Sequence, residues 1–411
     1  MAIAIVGFLI FFAYAAAAVF RRTRIPDVLL LVLLGIIVGP IAKLVTPADF
    51  GVVGENMGTI ALAVLLFHGG ATLNVESLSS TWRTTAGLTV LAFLSAAALI
   101  ALGGIYLLGL PPHSAAIFGF ICAGTSSAVV IPMVKGLGVD ERTETVLVLE
   151  SALTDVLAIV LVFALVEAGK VEGGSISGAI ASSVALNLIV SPLFGIAAAF
   201  LWTAVSVRNG DNRLAPLAAI ALAFVVYGAT NEFGYSGGLA VLAFGFGTTN
   251  AKLLRFDRLI GGLHGRDYDA LNEVEMFFFN EVIFLLKTFF FVFLGISMFL
   301  PKQADGFATL AVLAIYAVRT VVVRFTAVPP MSLRDASFSS VMAPKGLAAA
   351  VLASMPLQAG IAGGEIIRDK TFLMVLVSIV ITAVAVLLIE KGKLSWLFGP
   401  ALGIRKESQQ P

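Results

Sequence analysis

The chain has 411 residues, of which 59% are hydrophobic and only 12% charged, and its mean hydropathy is +1.02. This composition excludes an ordinary water-soluble protein and predicts a polytopic membrane protein, because most of the chain must lie in lipid. The net charge of +1 argues against a nucleic-acid partner, and the single cysteine, Cys122, excludes an intramolecular disulfide and a cysteine-built metal site.

Apolar runs of about 18 to 28 residues recur along the chain, separated by short polar or Gly/Pro-rich links. They predict an all-α polytopic membrane protein of about 13 transmembrane helices. The first run is followed by Arg21, Arg22 and Arg24 rather than by a cleavage site, which indicates a membrane helix and not a signal peptide. The predicted spans are 3–20, 27–46, 57–73, 84–110, 113–134, 143–168, 175–205, 214–231, 235–251, 277–300, 306–326, 336–358 and 371–390.

Lysine and arginine divide the links into two sets. The links after odd-numbered helices carry most of the basic residues, and those on the other side carry few. Because cytoplasmic links are enriched in Lys and Arg, we expect the amino terminus outside and the carboxyl terminus in the cytoplasm. The basic residues after odd-numbered helices include Arg83, Lys135, Arg142, Arg208, Arg213, Arg258 and Arg334.

The fifth and twelfth runs are each interrupted by residues that disfavour a helix. Gly124-Thr125-Ser126-Ser127 lies inside the fifth run, and Ala343-Pro344-Lys345-Gly346 lies inside the twelfth. Interrupted helices at matching places in two halves are typical of transporters built from inverted repeats. Since these two helices are an odd number of helices apart, we expect them to have opposite orientations in the membrane.

Within the sixth run, the apolar stretch from Thr145 to Val166 contains two carboxylates, Glu150 and Asp155, and each ionised group costs about 2.5 to 3.5 kcal/mol at mid-membrane. At about 100° per residue, Ser151 and Asp155 share one helix face and Thr154 lies on its edge, so their oxygens are predicted to converge. We interpret Asp155 as the residue that binds a small cation and a proton in turn. The alternative is a structural aspartate satisfied by hydroxyl groups.

Glu150 points away from Asp155 on the predicted helix and is interpreted as a structural anion, with a second proton carrier as the alternative. In a low dielectric it needs a counter-charge, which Arg319 of the eleventh run or Lys345 of the twelfth would supply. Lys345 has two further interpretations. It would stabilise the carbonyl ends of the broken helices, or it would itself release a proton and make transport electrogenic.

Six short motifs occur along the chain in the order Leu34-Gly35-Ile36-Ile37-Val38-Gly39-Pro40, Leu65-Leu66-Phe67-His68-Gly69-Gly70, Gly124-Thr125-Ser126-Ser127, Glu150-Ser151-Ala152-Leu153-Thr154-Asp155, Phe290-Phe291-Val292-Phe293-Leu294-Gly295 and Ala343-Pro344-Lys345-Gly346-Leu347. This ordered set resembles the monovalent cation/proton antiporter (CPA) superfamily, sodium/proton exchangers in particular, over nearly the whole chain. The resemblance implies a homodimer in membrane lipids, with an interface subdomain at 1–73 and 175–300. It also implies a mobile core subdomain at 84–168 and 306–390 with two crossed broken helices.

The resemblance extends to single residues. It implies that Asp155 is the cation/proton carboxylate, that Thr125 is a ligand at the crossing, and that Lys345 is the basic residue of the second broken helix. Many electroneutral members have Asn before the key aspartate and Asp in the first broken helix, where this chain has Thr154 and Ser126. Electrogenic members have paired aspartates and a lysine, of which this chain has only the lysine. Ser126-Ser127 is similar to the potassium-linked branch, so K⁺ is the first alternative to Na⁺ or Li⁺.

Together these observations predict a secondary active antiporter of a prokaryotic inner membrane that exchanges Na⁺ or Li⁺ for H⁺ by alternating access. Its predicted cation/proton-binding residues are Asp155, Thr154, Ser151, Thr125 and Ser126. No phosphate-binding loop, Walker motif or nucleophile elbow occurs, so neither an enzyme nor a cofactor beyond the transported ions is expected. Two rivals stay open: a gated cation channel, which would need a continuous polar pore, and a sodium-coupled organic anion symporter.

Overall fold

The computed structural model describes residues 2–23, 26–72, 82–169, 179–209, 215–256, 260, 273–298, 306–326 and 331–392. Every regular element in these ranges is helical, which confirms the predicted all-α class. The helices are α1 (Ala2–Thr23), α2 (Asp27–Ile36, extended by a π-helical turn at Ile37–Ile41), α3 (Gly51–Thr72), α4 (Trp82–Leu108), α5 (Pro112–Ala123), α6 (Ser127–Leu137), α7 (Glu141–Gly169), α8 (Ala179–Asn209), α9 (Ala215–Glu232), α10 (Gly237–Thr249), α11 (Glu273–Ser297), α12 (Gly306–Thr326), α13 (Leu333–Val341), α14 (Leu347–Gln358) and α15 (Gly364–Glu390).

The described helices fall into two length classes. Seven segments are long and apolar enough to cross a membrane, and α5 and α6 together form one of them. Six shorter apolar segments of 10–17 residues, each within one of the other helices, accompany them. The chain is therefore an integral membrane protein, as predicted, whereas the predicted number of 13 transmembrane helices is not confirmed.

The chain divides into two compact units. The first contains the described parts of 1–51, 80–162 and 291–411, and the second those of 52–79 and 163–290. The first unit therefore holds both interrupted helices together with Glu150 and Asp155 of α7. The predicted division into core and interface subdomains, which draws its boundaries differently, stays a prediction.

The first interruption separates α5 from α6. The backbone is extended at Gly124 (φ −60°, ψ 153°) and at Ser126 (φ −74°, ψ 110°), so the helix ends at Ala123 and a new one begins at Ser127. Gly138 ends α6 in the left-handed conformation (φ 59°), which glycine adopts without steric cost. The predicted break at 124–127 is therefore present.

The second interruption separates α13 from α14. Helix α13 begins at an N-cap, where the backbone N–H of Asp335 donates to the Ser332 hydroxyl at 3.0 Å. It ends at Val341, and Met342 to Gly346 connect it to α14. Pro344 lies in this connection, where it has no N–H to give to a helix. The predicted break at 343–346 is therefore also present.

Small residues bring helices together in the second unit. A Cβ added at Gly70 of α3 would overlap the Leu242 carbonyl of α10, and one at Gly245 of α10 would overlap the Phe67 carbonyl of α3. Close approach of backbones through small residues is the usual way in which helices pack in membranes, where lipid removes the hydrophobic drive between them. These glycines fix the packing of α3 on α10.

Candidate ion-binding site

The two interrupted helices meet at their breaks. The backbone N–H of Ser126 donates to the carbonyl of Pro344 at 2.8 Å. A Cβ on Gly346 would overlap the Ser126 hydroxyl, so glycine is required for this approach. The crossing places the extended residues of both breaks beside one another in the first unit.

Glu150 of α7 forms a buried ion pair with Arg319 of α12. Both terminal nitrogens of the guanidinium group take part, with Nη1 2.5 Å from Oε1 and Nη2 2.7 Å from Oε2. The Arg319 Nε donates to the Ser339 carbonyl of α13 at 2.7 Å. Glu150 is 1% exposed and Arg319 2%. Of the two counter-charges that the sequence left open, Arg319 is the one that pairs with Glu150, and the pair links three helices.

Lys345, in the second break, is bound to backbone carbonyls. Its Nζ donates to the Gly124 carbonyl at 3.0 Å and to the Ala123 carbonyl at 3.3 Å, and its own N–H donates to the Ser378 hydroxyl at 2.9 Å. The last carbonyls of α5 have no partner within their helix and carry partial negative charge. A buried ammonium group at this point satisfies them and compensates the helix dipole.

The threonines near the crossing are bound to each other. The Thr154 hydroxyl accepts from the backbone N–H of Thr125 at 3.1 Å and lies 3.0 Å from the Thr125 hydroxyl. It also donates to the Ser151 carbonyl at 3.1 Å. Thr154 thus anchors the first break to α7, and both threonines are buried.

Asp155 lies in a different setting from these buried groups. Its carboxylate accepts a hydrogen bond from the Ser127 hydroxyl at 2.7 Å, and both side chains are partly exposed. In the part of the chain that the structure describes, no basic side chain lies within 4.0 Å of this carboxylate. Asp155 is therefore an acidic group whose hydrogen-bond partner is a neutral donor.

The structure brings together some of the predicted site residues and separates others. Ser151, predicted to converge with Asp155, instead donates to the Val148 carbonyl at 2.9 Å. Thr125, Thr154 and Ser126 lie at the crossing, and none of them hydrogen-bonds to the Asp155 carboxylate. Ser127 is the hydroxyl that does so. It lies within the motif that the sequence singled out but was not predicted as a ligand.

The chemistry available at Asp155 is that of hard oxygen donors. One carboxylate and one hydroxyl suit a proton or a small monovalent cation that keeps part of its water shell. Within the described ranges, no group of three or more His, Cys, Asp and Glu side chains is placed to hold a metal ion. The candidate site is therefore one carboxylate with one hydroxyl oxygen beside it.

A protein-family model matches most of the chain. The model described as "Sodium/hydrogen exchanger, transmembrane" matches residues 7–389 of the chain. This range contains both interruptions, Glu150 and Asp155, and every residue of the candidate site.

Curated relatives resemble the chain at low identity. The K⁺/H⁺ antiporter NhaP of Alkalimonas amylolytica is 25% identical over 399 residues, covering 92% of this chain and 64% of the relative. The K⁺/H⁺ antiporter NhaP2 of Shewanella oneidensis is 24% identical over 373 residues, covering 88% of this chain and 61% of the relative. The Na⁺/H⁺ antiporter 1 of Methanocaldococcus jannaschii is 32% identical over 165 residues, covering 39% of this chain and 38% of the relative. The chain spans less than two thirds of the length of the two K⁺/H⁺ antiporters.

A solved structure shares the fold. The sodium proton antiporter MjNhaP1 from Methanocaldococcus jannaschii matches with a TM-score of 0.73 at 22% identity, covering 98% of this chain and 99% of that chain. At this level of identity the match establishes the fold alone.

Proposed function

The chain belongs to the sodium/hydrogen exchanger family, and from this premise we propose that it is a secondary active antiporter that exchanges Na⁺, or Li⁺, for H⁺. The observation that carries the proposal is the setting of Asp155, a partly exposed carboxylate whose hydrogen-bond partner is a neutral hydroxyl. Such a carboxylate can take up a proton or a cation without leaving a buried counter-charge unpaired.

Competition at one carboxylate is the proposed coupling mechanism. A proton and a cation compete for the Asp155 carboxylate and cannot bind to it together. Each therefore weakens the binding of the other by the same factor. In this proposal the site opens to one side of the membrane at a time. Exchange occurs because the site changes sides only when a proton or a cation is bound. The Ser127 oxygen is placed to act as a second ligand to the cation.

The buried charges beside the crossing have structural roles in this proposal. Glu150 is neutralised by Arg319, and Lys345 is held by the carbonyls of Ala123 and Gly124. With one titrating carboxylate, one cation moves for one proton, and the exchange is electroneutral. Thr125, Thr154 and Ser126 then position the first break against α7 and against Pro344.

Potassium is the second candidate for the transported cation. Two relatives that are matched over 88% or more of this chain are named K⁺/H⁺ antiporters, whereas the one named a Na⁺/H⁺ antiporter is matched over 39%. A K⁺/H⁺ exchanger would use the same carboxylate with a larger site. The choice between the cations is therefore made by experiment.

The test uses protein in liposomes with an acidic interior and a pH-sensitive dye inside. External Na⁺, Li⁺ or K⁺ is added in turn, with the membrane potential clamped. Wild type is expected to alkalinise the interior with at least one cation, and Asp155→Asn to fall to the rate of empty liposomes. The control is Asp369→Asn, the same change at a partly exposed aspartate of α15, and it should exchange normally. Exchange by a folded Asp155→Asn variant would refute the proposal, and cation current without proton movement would favour a channel.

We further propose the setting in which the exchanger works. It is a homodimer in a prokaryotic inner membrane, with the amino terminus outside and the carboxyl terminus in the cytoplasm. The distribution of basic residues supports the orientation. The exposed aromatic side chains of α1, Phe8, Phe11 and Tyr14, support contact with lipid or a second copy. Chemical cross-linking in native membranes tests the dimer, and labelling of single introduced cysteines from either side tests the orientation.

A further inference from the structure

A polar cavity lies in the first unit, at the end where α4, α7 and α13 begin and α12 ends. It has a volume of about 40 Å³, and a water molecule needs about 10–15 Å³ on the same measure. Its polar lining includes Asp140, Thr143, Asp335 and Ser339. The cavity can therefore hold a small ion with part of its hydration shell.

The carboxylate of Asp335 is the group in this cavity that calls for a ligand. Asp335 is 7% exposed, yet its side-chain oxygens have no hydrogen bond or ion pair with the residues that the structure describes. Its neighbour Arg334 does not pair with it, because the Arg334 guanidinium donates to the Leu137 carbonyl at 3.0 Å and lies over the Phe338 ring. The carboxylate faces the cavity, so water or a cation there can serve as its ligand.

Two hydroxyls complete the set of oxygen donors. Thr143 of α7 is 6% exposed and Ser339 of α13 is 2% exposed, and both line the cavity with Asp335. Neither hydroxyl has a hydrogen-bond partner among the described residues. One carboxylate and two hydroxyls, with water in the remaining positions, are ligands that Na⁺ or K⁺ accepts.

The charged side chains at the rim of the cavity do not cancel the negative charge of Asp335. The exposed side chains of Asp140 and Arg142 are both part of the lining, and the Asp140 carboxylate accepts from the Arg142 backbone N–H at 3.1 Å. Arg319 lies one helical turn deeper than Val323 of the lining, and it is neutralised by Glu150. With one acid and one base at the rim, Asp335 gives the cavity a net negative charge.

We propose that this cavity binds a monovalent cation, separately from the site at Asp155. Three helices connect this cavity to the crossing of the two breaks. Leu88, Val146 and Val323 line this cavity. One turn away on the same helices, Ala92, Glu150 and Arg319 line a smaller cavity beside Thr125 and Lys345. The Arg319 Nε donates to the backbone carbonyl of Ser339, which lines the proposed cation cavity. A cation bound there therefore acts on the residue that neutralises Glu150.

The test measures cation-specific stabilisation of purified protein in which the Asp155 site has been removed. Melting temperatures are recorded with NaCl or KCl and compared with choline chloride at the same ionic strength. Asp155→Asn should keep a cation-dependent rise, and Asp155→Asn/Asp335→Asn should lose it. Asp155→Asn/Glu141→Gln is the matched control, since Glu141 is an exposed acid at the same end of α7 that does not line the cavity, and it should keep the rise.

Two outcomes would overturn the proposal: no cation-specific rise in Asp155→Asn, or a rise that persists in the Asp335 double variant. An independent measurement does not depend on the folding of these variants. Equilibrium dialysis with radioactive Na⁺ or the K⁺ analogue Rb⁺ should give two sites in wild type and one in Asp335→Asn, and equal numbers would refute the second site. Because these experiments measure binding, they stand apart from the outcome of the transport assay.

Discussion

The Glu150 carboxylate is held by two nitrogens of Arg319, whereas the Asp155 carboxylate, further along the same helix, accepts a single hydrogen bond from Ser127. Glu150 is 1% exposed, and Asp155 is partly exposed. A bidentate buried pair cannot change its charge without leaving a desolvated partner, and breaking one is strongly unfavourable. A carboxylate beside a hydroxyl has no such constraint. The comparison teaches that local pairing, more than position along the helix, separates the ion-paired acid from the acid that we propose to exchange ions.

The largest expected effect on stability comes from making the same amide substitution at both acids. Glu150→Gln leaves the Arg319 guanidinium buried without a counter-charge and should lower the free energy of unfolding by about 3–5 kcal/mol. Asp155→Asn should change it by less than about 1 kcal/mol, because no buried base depends on it. Equilibrium unfolding in mixed micelles titrated with SDS measures both. Equal losses for the two variants would break the comparison.

Removing both members of the pair sharpens the same point. Glu150→Gln/Arg319→Met has no buried charge left to compensate, so it should recover most of the loss, to within about 1–2 kcal/mol of wild type. The single variant Arg319→Met is the reference, and completes a double-mutant cycle in the same unfolding assay. If the double variant were as unstable as the sum of the two single variants, the pair would not act as a unit.

Ser127→Ala tests the other side of the comparison. The variant loses a hydrogen bond to an ionised group, which contributes about 1.5–3 kcal/mol, and a ligand oxygen for the cation. Since about 1.4 kcal/mol corresponds to a factor of ten, the cation concentration for half-maximal exchange should rise about tenfold. Ser151→Ala is the control, because its hydroxyl donates to the Val148 carbonyl, and it should change this concentration less than twofold. A larger effect in Ser151→Ala than in Ser127→Ala would support the geometry predicted from the sequence, in which Ser151 is the hydroxyl beside Asp155.

The smallest expected change is in the coupling ratio of Lys345→Arg. Arginine keeps its proton under all working conditions and can still donate to the carbonyls of Ala123 and Gly124. We expect slower exchange, because a larger group in this buried position costs about 1–3 kcal/mol, but no change in the charge moved per cycle. A voltage-sensitive dye in the transport assay measures that charge. A wild type that generates a voltage and a variant that does not would show that Lys345 carries a proton.

Much of the fold could be predicted from the sequence because membrane helices leave local signals. Both interruptions lie where Gly124 and Pro344 predicted them, and α7, predicted at 143–168, extends over 141–169. Runs of apolar residues do not resolve short helices in the same way. The predicted count of 13 transmembrane helices therefore remains unconfirmed, although the predicted all-helical class is confirmed.

The candidate site was less predictable, because its contacts join residues far apart in the chain. The acids of α7 could be recognised from their cost in lipid, but the choice between Arg319 and Lys345 as the partner of Glu150 depends on how α12 packs. Helical periodicity placed Ser151 on the face of Asp155, and no local rule shows that its hydroxyl turns back to Val148. Ser127 reaches Asp155 only because α5 ends and α6 begins beside α7.

The contact between the two breaks has a consequence for how this protein tolerates change. The hydrogen bond from Ser126 to Pro344 is made by backbone atoms, so any residue except proline at position 126 can donate it. Side chains around the crossing can therefore be exchanged one by one, within the space that Gly346 leaves, while the crossing keeps its geometry. If the chain is the proposed antiporter, a few side-chain replacements on such a scaffold would change its preferred alkali cation without changing its architecture.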